Sequence, residues 1–148
     1  MTTTNETWTA QHSIETTATP EVLWGIWCDV PAWKAWNAGI ERIELEGPFA
    51  EGTWFIMQPP GQDALRSRLL EVRANECFVD ETCVGDLIVT VAHRIEPLAP
   101  GRTRVTYELR AAGPGAAEIG PMVAADFPEV LASLAERACG VASGVHAA

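Results

Sequence analysis

Apolar and polar residues alternate over Trp8–Thr17, where every second position is Trp, Ala, His, Ile or Thr. This two-residue period predicts an opening strand. Thr19 and Pro20 then predict a helix start, because Thr caps free backbone N–H groups and Pro suits the first helical position. Apolar residues follow at helical spacing until a proline interrupts them. A second short helix is predicted over about Pro31–Trp36.

Six more strands and a long helix complete the predicted order. Turn residues separate the strands, which we place at Ile40–Glu46, Gly52–Gln58, Ala64–Arg73, Glu76–Val84, Leu87–Glu96 and Arg102–Arg110. After Gly113-Pro114-Gly115 the apolar period becomes helical and continues to about Ala138. Because Pro121 and Pro128 lie inside this stretch, we expect a kink or two shorter helices there.

This order predicts an α+β fold with one curved, seven-stranded antiparallel sheet wrapped around a long C-terminal helix. Two short helices lie between strands 1 and 2. A sheet this wide curls, and one helix cannot fill its concave side, so we expect a cavity between them. We expect residues 1–148 to form one domain, with an ordered core over about residues 8–140.

The composition narrows the range of partners. Twenty acidic and ten basic residues give a net charge of −10, and no basic tract interrupts it. This argues against nucleic acid as a partner. No apolar run is long enough for membrane insertion, and no secretory signal is visible. Four cysteines without metal-binding spacing predict reduced thiols, a cytoplasmic protein and no metal. We expect no cofactor, and either a monomer or a homodimer.

Several segments together resemble one known superfamily. They are Ala18–Trp24, Asp29–Asn37, Gly47-Pro48-Phe49 with Gly52-Thr53, His93–Glu96 and Gly101–Tyr107. Their order and spacing over roughly residues 8–140 are similar to the START-like, helix-grip superfamily. Within it, the chain most resembles the polyketide cyclase/dehydrase and lipid-transport (SRPBCC) group.

The resemblance implies a deep cavity between the sheet and the C-terminal helix. In this group such cavities bind apolar or aromatic small molecules, and in some members they fold or dehydrate polyketide chains. No shared catalytic motif transfers to this sequence residue by residue, so the chemistry has to come from the residues themselves.

Large apolar side chains on inward-facing positions are the predicted cavity lining. We assign this role to Trp24, Trp27, Phe55, Met57, Phe78, Val91, Met122, Phe127 and Leu131. The tryptophans also suit a purely structural role, in which they pack the two short helices onto the sheet.

Two histidines and one tyrosine are the candidate catalytic groups. His12, His93 and Tyr107 each alternate in phase with apolar neighbours, so we expect all three to face inward. If Glu96 pairs with Arg102, His93 faces Val105, and Tyr107 lies diagonally across from His93. The alternative is that each of the three makes one hydrogen bond within the core.

One of two adjacent acids, Asp80 and Glu81, must face the cavity because strand side chains alternate. A two-residue Gly85-Asp86 turn pairs Phe78 with His93 and turns Asp80 inward. A three-residue turn would instead turn Glu81 inward. We favour Asp80, because the first register also keeps Phe78 inside.

The resemblance and these residues together suggest three alternative functions. In the first, we expect the chain to bind and carry a small apolar molecule, aromatic, polyketide-like or lipid-like. Alternatively it is a cyclase or dehydratase, in which His93 or His12 acts as base, Tyr107 donates to a developing enolate and Asp80 orients them. A third interpretation is an assisting subunit that presents its outer sheet to another protein.

Overall fold

The computed structural model describes the backbone of residues 6–147 and the side chains of residues 6–140. Seven strands and three α-helices follow the predicted order. The strands are β1 (Thr7–Thr16), β2 (Arg42–Leu45), β3 (Trp54–Gln58), β4 (Leu65–Arg73), β5 (Cys77–Val84), β6 (Leu87–Ala99) and β7 (Arg102–Ala112). The helices are α1 (Pro20–Cys28), α2 (Ala116–Ala124) and α3 (Phe127–Ala147), with a 3-10 helix at Val30–Ala35 between α1 and β2.

All strands pair antiparallel in one sheet of order β1-β7-β6-β5-β4-β3-β2. The first strand therefore lies beside the last, and β1 and β2 form the two edges. The fold is the predicted seven-stranded helix-grip arrangement, with the core between the sheet and the helices. None of the described helices is both long and apolar enough to cross a membrane.

The start of α1 matches its sequence signal. The Thr19 side chain accepts a hydrogen bond from the Val22 N–H at 3.2 Å, and Pro20 is the first helical residue. The Trp33 indole N–H donates to the Trp27 carbonyl at 3.0 Å, which ties the 3-10 helix to the end of α1. Both tryptophans are buried, so the two short helices close one end of the core.

The C-terminal helix is divided, as its prolines predict. α2 ends at Ala124 and α3 begins at Phe127, so Asp126 lies at the junction, although Ala125 keeps helical backbone angles. The N-terminal half, α2, packs on the edge strand β1. A side chain at Gly120 would overlap the Trp8 ring, so only glycine permits this close approach.

One predicted register is wrong. β6 continues beyond Glu96, and an irregularity between Pro97 and Ala99 shifts the pairing. Glu96 therefore pairs with Arg104, and His93 lies directly opposite Tyr107. The bulge cannot be read from alternation, because an extra residue in one strand leaves the pattern on either side intact.

The other hairpin matches the favoured prediction. Gly85-Asp86 forms a two-residue turn, Phe78 pairs with His93, and Asp80 pairs with Val91. Asp80 therefore shares the concave face with these residues, and Glu81, which pairs with Arg68, lies on the convex face.

Candidate functional site

A cavity of about 820 Å³ lies between the concave face of the sheet and the helices. Its aromatic walls are formed by Trp27, Trp33, Phe55, Phe78, Tyr107 and Phe127. Its rim includes Met122 on α2, which is 71% exposed, and Leu65 at the start of β4. Because the rim is exposed, the cavity opens to solvent. Its size and apolar walls suit a small organic ligand.

Most of the predicted lining residues face this cavity. Trp27, Phe55, Met57, Phe78, Val91, Met122 and Phe127 all contribute to its surface. Two predicted residues do not. Trp24 is half-buried and packs against Trp27 and Phe49, with ring centroids 6.1 and 5.8 Å away. Leu131 lies one turn beyond Phe127 on α3 and is buried within the core.

His93 is held in one orientation and one tautomer. Its Nδ1 lies 3.2 Å from the Phe78 carbonyl oxygen, and a carbonyl only accepts, so Nδ1 carries the proton. The Phe78 ring stacks on the imidazole at 3.9 Å with a 7° interplanar angle. The other nitrogen, Nε2, is therefore an acceptor and lies 3.9 Å from Asp80 Oδ2. This distance exceeds a hydrogen bond.

Burial shifts three neighbouring titratable groups of the cavity wall, His93, Asp80 and Tyr107, toward their neutral forms. Desolvation lowers the pKa of His93 to about 3 and outweighs the hydrogen bond to Phe78, which acts in the opposite direction. Desolvation also raises the pKa of Asp80 to about 7 and raises that of Tyr107 further above its ordinary value. Near neutral pH the imidazole is therefore uncharged, and Asp80 exchanges between its two forms.

Tyr107 forms a cluster with His93 and Asp80 in the cavity wall. Its ring meets His93 edge to face at 4.6 Å and Phe127 at 5.6 Å. The buried indole N–H of Trp27 lies beside the phenol without closing a well-formed hydrogen bond. The cavity thus presents a phenol, an imidazole and a carboxyl from three neighbouring strands.

His12 does not join this cluster. The register sets it opposite Tyr107, but β1 is an edge strand with a neighbour on only one side. The imidazole is exposed and does not line the cavity, so the expectation that it would be inside is wrong. Alternation gives the face on which a side chain lies, whereas burial also depends on the position of the strand in the sheet.

The sequence reasoning missed a pair of hydroxyl groups in the cavity wall. Ser67 on β4 and Thr82 on β5 are register partners, and their oxygens lie 2.6 Å apart. Thr82 is two residues beyond Asp80 on the same face of β5. The same alternation that favoured Asp80 marks Thr82, and Ser67 alternates in phase with Leu69.

Asp126 was also missed, because it lies within the apolar stripe of the C-terminal helix. It borders the cavity at the α2–α3 junction, and burial raises the pKa of its carboxyl. Among the described residues, no three His, Cys, Asp or Glu side chains converge closely enough to hold a metal ion.

The family model described as polyketide cyclase / dehydrase and lipid transport matches residues 7–138 of the chain. A comparison with curated proteins found no match. The matched range contains every residue of the cluster and of the cavity wall.

Solved structures with similar backbones include norcoclaurine synthase from Thalictrum flavum in complex with dopamine and hydroxybenzaldehyde. Its TM-score is 0.75 at 12% identity, covering 93% of this chain and 89% of that chain. An aromatase/cyclase from Streptomyces sp. R1128 has a TM-score of 0.76 at 12% identity, covering 90% and 94%. A START superfamily protein from Mycobacterium smegmatis has a TM-score of 0.71 at 20% identity, covering 90% and 98%. At these identities the likeness establishes the fold.

Proposed function

The chain belongs to the polyketide cyclase / dehydrase and lipid transport family, and from this premise we propose that it binds a small aromatic or polyketide-like molecule inside the cavity. The family fits the binding of hydrophobic ligands, as the resemblance in the sequence implied. The observation that carries the proposal is the aromatic cavity of about 820 Å³, which opens to solvent beside Met122. The polar cluster in its wall orients the ligand.

Apolar burial supplies the affinity in this proposal. A ligand that removes roughly 300 Å² of apolar surface from water gains about 7.5 kcal/mol before the cost of immobilising it. The walls are aromatic side chains fixed by packing, so few rotamers are lost when the ligand enters. This supports a binding role without a large change in the protein.

The test compares two substitutions on strand β6, one that fills the cavity and one that points away from it. Val91→Phe adds a ring to the concave side of β6, while Ile88→Phe adds the same ring to an exposed convex position. Binding of naphthylethanol is measured by calorimetry, and folding by circular dichroism. We expect Val91→Phe to weaken binding at least about tenfold and Ile88→Phe to leave it unchanged. Equal affinities in the two variants, or no binding to the unaltered chain, would overturn the proposal.

A second candidate is a cyclase or dehydratase that uses His93 as general base. The free Nε2 of His93, with Asp80 and Tyr107 around it, favours this candidate. His93 would take a proton next to a substrate carbonyl, and Tyr107 would donate a hydrogen bond to the enolate oxygen. Because an isolated imidazole with a pKa of about 3 is a weak base, the ionised form of Asp80 has to stabilise the imidazolium.

This candidate is tested with a polyketide-like β-keto substrate. His93→Gln should abolish turnover while keeping substrate affinity, and the exposed His12→Gln is the matched control. The rate should rise with pH through the Asp80 pKa of about 7. Equal turnover by the His93 variant and the unaltered chain excludes the catalytic role.

A further inference from the structure

The cavity carries acidic groups without any cation. Of the side chains that line it, within the part of the chain that the structure describes, none is Lys or Arg. Asp80, Asp126 and Asp63 all border it. The positive side chains of the chain lie outside it. The ionisable side chains that can charge this cavity near neutral pH are therefore all acidic.

Asp80 is the acid that lies deepest. Its side chain is 14% exposed and makes no hydrogen bond with any described residue, and the His93 nitrogen is 3.9 Å away. A buried carboxyl normally has a hydrogen-bond or charge partner, since burial without one is costly. Here the open side of the carboxyl faces the cavity, where a ligand group can supply that partner.

The walls around Asp80 suit a cation as well as an apolar ring. Tyr107, Phe78 and Trp27 present π-systems, and aromatic faces attract ammonium groups that have left water. A ligand carboxylate would meet only negative or neutral groups and would lose its hydration without a counter-ion. The net charge of −10 also raises the local concentration of cations around the protein.

We propose that the cavity takes an aromatic amine in its protonated form, with the Asp80 carboxylate as its counter-ion and the aromatic walls around its ring. The proposal deepens the binding function given above and rests on it. It assigns to Asp80 a role in ligand selection that does not depend on catalysis.

The proposal predicts the direction in which the affinity for an amine changes with pH. Asp80 lies close to His93 on β6 and Tyr107 on β7. The Ser67–Thr82 hydroxyls, Asp126 at the α2–α3 junction and Asp63 before β4 line the same cavity. His93 and Tyr107 stay neutral around neutral pH, so the acids control the charge of the cavity. Amine affinity therefore rises as Asp80 ionises, whereas a neutral ligand that accepts from the protonated carboxyl would bind more weakly.

Three probes with one skeleton test the proposal: naphthylethylamine, naphthylethanol and naphthylacetate, titrated by calorimetry. At a pH of about 8 we expect the amine to bind at least about tenfold more tightly than the alcohol, and the carboxylate to bind most weakly. Asp80→Asn should remove the difference between amine and alcohol. Glu81→Gln, on the convex face, is the control and should keep it.

The unaltered chain supplies a second measurement that needs no variant. Its amine affinity should increase about tenfold between pH values of about 6 and 8, while the alcohol affinity does not increase. An alcohol that binds as tightly as the amine, or a preference that survives Asp80→Asn, would overturn the amine proposal and leave the binding function intact. Failure of all three probes would overturn both.

Discussion

On its convex face the sheet sets arginines beside glutamates, whereas on its concave face it holds a carboxyl and an imidazole with no cation among the described lining residues. The convex pairs are Arg66–Glu46 at 2.9 Å, Arg94–Glu108 at 3.1 Å, Arg104–Glu96 at 3.2 Å and Arg102–Glu15 at 3.3 Å. Their side chains are a third exposed or more. The concave groups, Asp80 and His93, are nearly enclosed.

The difference separates charges that affect stability little from charges that affect it strongly. An exposed ion pair contributes about 0–1 kcal/mol, because water screens both partners. A buried carboxyl without a partner costs several times more. An apolar residue at position 80 would make a more stable core, so the acid there is a structural cost, as is common at functional sites.

Replacing one tryptophan on each side of the sheet, Trp27 on α1 and Trp54 on β3, gives the largest expected contrast. Trp27→Ala removes a fully buried ring that contacts Phe78 and Tyr107, and should cost about 3–5 kcal/mol of unfolding free energy. Trp54→Ala removes a convex ring that is 37% exposed and lies under Arg66, and should cost less than about 1.5 kcal/mol. Chemical denaturation measures both. Equal losses would remove the distinction between the two faces.

The acid on the concave face should be destabilising above neutral pH. Because folding raises the pKa of Asp80 from 3.8 to about 7, its penalty is absent below a pH of about 4 and complete above about 7. At a pH of about 8, Asp80→Asn should therefore stabilise the ligand-free protein by roughly 2–4 kcal/mol. Glu81→Gln on the convex face should change it by less than about 0.5 kcal/mol. A destabilised Asp80→Asn protein at that pH would contradict the assignment.

His93 provides a second test, because its pKa shift changes the unfolding free energy with pH in the opposite direction. Folding lowers its pKa from 6.5 to about 3, so it destabilises the protein as the pH falls below about 6.5. Between about pH 4 and 6.5, Asp80 and His93 together carry one proton in both the folded and the unfolded protein. Their opposite effects on the pH dependence of stability therefore cancel. In Asp80→Asn the unfolding free energy should therefore fall as the pH drops below about 6.5, because only the His93 effect remains. Adding His93→Gln should remove this pH dependence.

The hydroxyl pair gives a smaller effect on the concave face. Ser67→Ala leaves the Thr82 hydroxyl without its 2.6 Å partner, in a position where Ser67 itself is buried. We expect a loss of about 1–2 kcal/mol in denaturation experiments. Ser13→Ala breaks the corresponding exposed pair with Thr106 and should cost less. The opposite ranking would show that exposure does not decide the value of these hydrogen bonds.

Removing a convex ion pair should have the smallest effect. Arg94→Met keeps the apolar stem of the side chain and deletes its charge beside Glu108, with both side chains about half exposed. The expected change is below about 1 kcal/mol and should shrink further with added salt. A loss as large as that of Trp27→Ala would mean that the convex network stabilises the fold.

The fold was predictable because its signals are local. Thr19 and Pro20 mark the start of α1, and Pro128 lies at the start of α3, where the C-terminal helix is divided. A two-residue Gly85-Asp86 turn that keeps Phe78 inside also turns Asp80 inward. The site was only partly predictable. The bulge after Pro97 places Tyr107 opposite His93, and the edge position of β1 exposes His12. Both depend on pairing between strands, which alternation within one strand does not contain.

The division of the C-terminal helix also has a consequence for how long a ligand would stay bound under the proposed function. The polar groups proposed to orient the ligand are fixed to β5, β6 and β7, which have neighbours on both sides. The exit passes Met122 on α2, a nine-residue helix that ends before Asp126. Substitutions on α2 should therefore change the rates of ligand entry and release more than the preference between ligands. Residence time would then depend mainly on α2, and selectivity mainly on the central strands.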